Sequence, residues 1–278
     1  MAWETITYEV RDRTALITLN RPEMLNAISD TMIRELPEAY ARAEADPEVW
    51  TLMVTGAGRG FCSGADLSGS ENATASDIES TPGLKWSFPG DGYLEKFRGW
   101  EAPQEATRDY LHQAKPMIAV INGVCAGAGM DFVTTSDIVV ASDKASFLDP
   151  HVGIGIVSGR EMVRLARVLP LNIAMRLALM GKQERMSAER AYQLGLVSEV
   201  IPHGTLMQRA WEIAGMLNAN APLAVRGTRL AIRKSLSLPI NEAELLAEQY
   251  RIRVAATEDA VEGPKAFMEK RPPRWKGR

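Results

Sequence analysis

The chain has 278 residues, 46% hydrophobic and 24% charged, with a formal net charge of −3, which excludes wholesale disorder and leaves no basic footprint for nucleic acid. No apolar run is long enough for a membrane span, and the opening Met1-Ala2-Trp3-Glu4 lacks the basic and apolar regions of a secretory signal. Two cysteines, Cys62 and Cys125, cannot make a disulfide framework and the three histidines form no ligand-spaced cluster, so reduced thiols, a cytoplasmic location and no metal are expected.

Ile6–Val10 and Thr14–Leu19 alternate β-branched and polar residues around Arg11-Asp12-Arg13, predicting a hairpin that Asn20-Arg21-Pro22 ends. Ser29 and Asp30 can cap a helix carrying Met32, Ile33, Leu36, Ala39, Tyr40 and Ala43 on one face. Trp50–Thr55 is an apolar run closed by Gly56, Gly58 and Gly60, hence a buried strand feeding a loop. Residues 67–112 are rich in Ser, Gly, Pro and acids with scattered aromatics. They are too long for an ordinary loop and predict a partly helical lid or a disordered flap. Pro116–Ile121 is a second buried strand; it opens into Asn122–Gly129, after which Met130, Phe132 and Val133 begin a helix. Ile138–Ala141 and Ala145–Leu148 predict two more strands. From Gly159 onward the spacing predicts helices over 159–168, 171–180, 187–194, 205–218, 222–236, 241–256 and 258–269. The pattern is an α/β core over 1–200 followed by a helical region over 201–278.

Two small-residue loops each follow a buried strand and lead towards a helix: Gly60-Phe61-Cys62-Ser63-Gly64-Ala65-Asp66-Leu67 and Asn122-Gly123-Val124-Cys125-Ala126-Gly127-Ala128-Gly129-Met130-Asp131. Such loops let a backbone approach a ligand closely and present free N–H groups. Either alone reads equally well as a tight strand-to-helix turn; together, converging on one point, they would stabilise a developing oxyanion. Other motifs carry less. Gly56-Ala57-Gly58-Arg59-Gly60 misses the dinucleotide spacing and no ribose-binding acid follows. Ser63 is not at the spacing of a nucleophile elbow, and Cys62 has only Arg59 as an electropositive neighbour.

The Ser63-Gly64-Ala65-Asp66 turn, the segment from Asn122-Gly123 to Asp137, and Phe147-Leu148-Asp149-Pro150-His151 to Gly155 resemble, in order and spacing, the signature segments of the crotonase (enoyl-CoA hydratase/isomerase) superfamily. Leu19 to Pro22, Leu25-Asn26-Ala27, Ala188 to Val197 and Glu262 to Arg271 extend the resemblance over essentially the whole chain. The resemblance implies an α/β, crotonase-type spiral of strand-strand-helix units with a C-terminal helical trimerisation region. It also implies an acyl-CoA substrate, no cofactor beyond the coenzyme A of that substrate, and a homotrimer or hexamer. Carried over by position, the N–H groups of Ser63 and Ala128 hold the thioester oxygen, and Met24, Ala27, Ala65, Asp66, Leu67, Gly127, Phe267 and Lys270 contact substrate.

Asp131 stands where the hydratases carry the first of two water-holding glutamates and is one methylene shorter; its bland alternative is a helix-capping Asp. His151 stands at the second glutamate. Histidine moves protons near neutrality, with an ordinary pKa of about 6.5; Asp131 could orient it, and on a regular strand Asp149 would share its face. The alternative is a buried histidine bonded to backbone. The basic run Lys265, Lys270, Arg271, Arg274, Lys276 and Arg278 is either a solvated tail or a holder of the CoA phosphates. Three functions stay open: a hydratase or isomerase; a crotonase-fold hydrolase, C–C lyase or decarboxylase, suggested by the replaced glutamate pair; and a catalytically silent CoA-binding protein.

Overall fold

The computed structural model describes residues 3–68 and 115–278; the lid or flap expected over 67–112 therefore lies, from residue 69, outside the described residues. β1 (Ile6–Arg11) and β2 (Thr14–Leu19) form the expected hairpin, Arg11 opposite Thr14. Its two loop residues, Asp12 and Arg13, both have left-handed φ (47° and 60°), the geometry that matches a two-residue turn to the twist of its strands. From β2 the chain builds a six-stranded sheet in the order β1-β2-β3-β5-β7-β10, with β3 (Thr51–Gly56), β5 (Met117–Ile121), β7 (Ile138–Ser142) and β10 (Glu199–Ile201) parallel to β2. The parallel strands read as unbroken apolar runs because both faces are covered. One face, through Ala15, Ile17, Leu52, Val54, Ala119 and Ile121, joins the main core with Met32, Leu36, Ala39 and Tyr40 of α1 (Asp30–Ala45). The other, through Leu16, Met53, Ile118, Val120 and Val140, packs under Leu206, Ala210 and Ala214 of the helix Leu206–Asn218. Ser29 caps α1 by accepting from the N–H of Met32 at 3.2 Å.

A second sheet has four strands, of which only β8 was expected: β4 (Gly60–Cys62), β6 (Val124–Ala126), β8 (Ser146–Leu148) and β9 (Met186–Ser187). Each long parallel strand turns at its end into a short one, so β3–β4, β5–β6 and β7–β8 are successive units of a spiral. After β6 comes α2 (Gly129–Thr135), and after β8 a short 3-10 turn (His151–Ile154) and α3 (Arg160–Leu165). Because β4, β6 and β8 run parallel, with one irregularity between β4 and β6, their carboxyl ends deliver three turns to one edge. That edge is where α/β proteins place their sites.

Two buried amides tie this edge together. Asn122 accepts from the N–H of Gly56 at 3.2 Å and donates to the carbonyls of Gly58 (2.9 Å) and Gly60 (3.1 Å). Asn26 donates to the carbonyls of Ala57 and Gly60, both at 2.9 Å. The β3–β4 and β5–β6 turns touch so closely that a Cβ on Gly123 would lie 2.0 Å from the carbonyl oxygen of Arg59, so only glycine fits there.

The remaining helices are α4 (Leu171–Met180), α5 (Ala188–Gln193), α6 (Leu206–Asn218), α7 (Pro222–Ser235), α8 (Ile240–Ala255) and α9 (Glu258–Met268), within a residue or two of their predicted spans. Arg229 and Arg233 pin α7 to Asp137, at the start of β7, at 2.6 and 2.9 Å. The basic C-terminus is not a free tail. Arg271 pairs with Glu262 at 2.5 Å and Lys276 with Glu258 at 2.7 Å, and Asp259 accepts from the N–H groups of Lys276 and Gly277. No helix among the described residues is long and apolar enough to cross a membrane.

Candidate active site

The three turns that follow β4, β6 and β8 meet around a cavity of about 270 Å³. Ser63, Gly64 and Ala65 come from the first, Gly127 and Ala128 from the second, Pro150 and His151 from the third, with Asp131 on α2 and Glu161 on α3. Their contact is direct: a Cβ on Gly127 would lie 3.8 Å from the Cα of Gly64 and 3.4 Å from Cε1 of His151, and one on Gly64 would lie 3.8 Å from the nitrogen of Ala128. Gly64 (φ 104°) and Gly127 (φ 49°) both hold left-handed backbone, conformations glycine adopts without steric cost.

Ser63 needs a correction. Its N–H is already donated to the carbonyl of Leu25 at 3.0 Å, and its Oγ donates to the carbonyl of Met24 at 3.1 Å. Two residues on, Ala65 is bridged to Ile28: Ile28 N–H donates to Gly64 and Asp66 N–H to Ile28. That pattern turns the Ala65 N–H away from the 24–28 segment, and among the described residues neither it nor the N–H of Ala128 has an acceptor. The free donor of the first turn is Ala65. Asp66, read from sequence as a substrate contact, is engaged elsewhere: its carboxylate pairs with Arg21 at 2.8 Å and accepts from Ser68 at 2.7 Å. The Met24 carbonyl braces the same turn by accepting from Ser63, whereas that of Ala27 accepts from Arg21. Leu67 lines the cavity. Phe267, 82% exposed, and Lys270 do not line this cavity.

Asp131 is 1% exposed. One oxygen, Oδ1, accepts from Arg164 of α3 at 2.8 Å; the other is buried and has no hydrogen-bond partner among the described residues. Burial, reinforced by the negative charge of Glu161, pushes its pKa up to about 7 against the pull of Arg164 and Arg160. An isolated helix cap would instead be held ionised well below neutrality.

His151 is oriented by Asp149, not by Asp131. Asp149 is fully buried; its Oδ1 takes the imidazole Nδ1 at 2.5 Å and the backbone N–H of His151 at 3.0 Å, and its Oδ2 accepts from the hydroxyl of Ser158. β8 ends at Leu148, so Asp149 and His151 are not strand neighbours; the carboxylate instead folds over the start of the 3-10 turn. Burial alone would raise the Asp149 pKa, but the bonds from His151 and Ser158 outweigh it and hold the carboxyl below its usual range. The hydrogen bond to Asp149 in turn raises the pKa of His151, assisted by the charges of Asp149, Glu161 and Asp131. With Nδ1 engaged, Nε2 is the nitrogen left for chemistry.

Sequence reasoning missed Glu161 and Arg164, for α3 carries no motif and only its packing against α2 reveals them, and Ser158, which only its bond to Asp149 reveals. Cys62 and Cys125 face each other across β4 and β6, fully buried, and burial pushes the Cys62 thiol up to about 12, so neither is poised as a nucleophile.

The family model described as enoyl-CoA hydratase/isomerase matches residues 9–85 and 94–278. Enoyl-CoA hydratase EchA19 of Mycobacterium tuberculosis is 33% identical over 97% of this chain and 96% of its own. Carnitinyl-CoA dehydratase of Shigella flexneri is 34% identical over 94% of each chain. A solved structure of an enoyl-CoA hydratase/isomerase from Mycobacterium paratuberculosis is 56% identical, covers 99% of both chains and superimposes with a TM-score of 0.82.

Proposed function

Since the chain belongs to the enoyl-CoA hydratase/isomerase family, we propose that it adds water across the double bond of a 2-enoyl-CoA thioester. The supporting observation is Asp131: a buried carboxyl with a pKa of about 7, one oxygen fixed by Arg164 and the other unpartnered among the described residues beside His151. Such an oxygen is suited to hold a water molecule and take its proton, which favours hydration over isomerisation.

In this reading the thioester oxygen lies between the N–H groups of Ala65 and Ala128. Water on Asp131 attacks the β-carbon, the double-bond electrons move onto the thioester oxygen, and Asp131 accepts the water proton. His151, protonated and steadied by Asp149, then delivers a proton from Nε2 to the α-carbon as the enolate collapses. Each backbone donor contributes roughly 3–4 kcal/mol to stabilising the enolate-like state. No resident cofactor is required. Run backwards, the same groups dehydrate a 3-hydroxyacyl-CoA, the direction named for the Shigella relative. The direct test follows the loss of the conjugated thioester absorbance with 2-enoyl-CoAs of increasing length. No turnover at any length by a protein that binds coenzyme A would sink the reading and favour a silent CoA-binding protein.

We also propose a homotrimer or hexamer assembled through the C-terminal helices, where the apolar side chains of Ile232, Leu236, Ile240, Leu245 and Val261 are exposed, as residues that a partner covers would be. Sedimentation equilibrium is expected to give three or six chain masses; a monomer at micromolar concentration excludes it.

A further inference from the structure

Glu161 differs from the other acids of the cavity. It sits in the first turn of α3, is 8% exposed, and lines the cavity with Asp131 and His151. Asp131 has Arg164 as a partner and Asp149 has His151 and Ser158, but among the described residues no hydrogen bond or ion pair engages the Glu161 carboxylate. After burial it is the next influence raising the pKa of Asp131, and it raises that of His151 behind the bond from Asp149. Arg160 also lines the cavity, and the rest of the neighbouring wall is apolar: Ile154, Ile156, Val157 and Leu67.

Resting on the hydratase reading, we propose that Glu161 is a specificity-determining residue that accepts a hydrogen bond from a hydroxyl group on the acyl chain, at or just beyond the reacting carbons. A plain hydrocarbon chain entering the cavity would displace the solvent that serves this carboxylate and offer nothing in return, and a bare buried carboxylate is strongly unfavourable. A hydroxyl replaces that solvent with a charge-assisted bond while the aliphatic wall takes the remaining carbons. Sites that hold a substrate hydroxyl by a buried polar group reject the analogue lacking it far more strongly than apolar pockets reject a missing methylene. The substrate class is therefore a short hydroxylated enoyl-CoA.

The test compares two thioesters of nearly equal shape, 4-hydroxy-2-butenoyl-CoA and 2-pentenoyl-CoA, in which a methyl replaces the hydroxyl. Wild type is expected to favour the hydroxylated thioester in kcat/KM by about tenfold to a hundredfold, the strength of a hydrogen bond to a charged group. Glu161→Leu should reverse that preference, and Glu161→Gln, which keeps a carbonyl acceptor, should fall between. Using the ratio removes any change in the shared acid–base chemistry. A wild-type preference for 2-pentenoyl-CoA, or a ratio that Glu161→Leu and Glu161→Gln leave unchanged, overturns the proposal. If neither thioester is turned over, the hydration reading is what fails; the same ratio is then read from calorimetric binding of the two thioesters to wild type and Glu161→Gln, where equal affinities again reject the role of Glu161.

Discussion

Asp131→Asn is expected to lower kcat for hydration by about 10²- to 10⁴-fold, the usual contribution of a general base, while KM moves only a few-fold. The amide is nearly isosteric and can still accept from Arg164, so the cavity keeps its shape and loses only its proton acceptor. The pH profile gives the sharper reading. Asp131 must be ionised to receive the water proton, and its pKa stands at about 7, so kcat/KM of wild type should rise as the pH passes upward through about 7. In Asp131→Asn that rising limb disappears from whatever rate remains. Steady-state kinetics over pH 5 to about 9 measures both; an unchanged kcat, or a rising limb that survives the substitution, removes Asp131 from the mechanism.

The second large effect concerns His151. His151→Ala should also cost about 10²- to 10⁴-fold in kcat, because nothing else in the third turn can deliver a proton to the α-carbon. Here the sign is opposite. His151 acts in its protonated form, and the bond to Asp149 raises its pKa above the ordinary 6.5, so activity declines as the pH rises through that elevated value. Asp149→Asn weakens the grip on the imidazolium and should shift the descending limb to lower pH, with a smaller loss at neutrality than His151→Ala. If Asp149→Asn lowers the rate equally at every pH and leaves the descending limb in place, the carboxylate holds the turn and does not hold the proton.

How much of this was legible in sequence follows from what each feature depends on. The hairpin, α1 and the C-terminal helices were readable because their signals are local: Asp12 and Arg13 at the turn, Ser29 as a cap, apolar residues at helical spacing. Of the four-stranded sheet only β8 was readable, as Ala145–Leu148; β4, β6 and β9 are two or three residues long and exist only through pairing with segments distant in sequence. The same distinction governs the site. The two small-residue turns and Asp131 and His151 announced themselves by motif. Which N–H of the first turn stays free is decided by the carbonyl of Leu25, and the sequence assigned Ser63 where the structure leaves Ala65. Asp149 shares no strand face with His151, yet a change of backbone direction at Pro150 brings its carboxylate onto the ring. Glu161 and Arg164 enter through the angle at which one helix meets another, and no residue pattern records that angle.

The amide clamps of Asn26 and Asn122 carry a consequence for how the enzyme comes into being. The carbonyls of the 57–60 turn are satisfied by side chains from two other stretches of chain, so the turn has little reason to hold its shape until both have arrived. A partly folded intermediate lacking either stretch would have no place for the thioester oxygen, however complete its helices. Catalytic competence should thus emerge late and all at once, and recovery of turnover is a stricter gauge of native wrapping than recovery of helical signal.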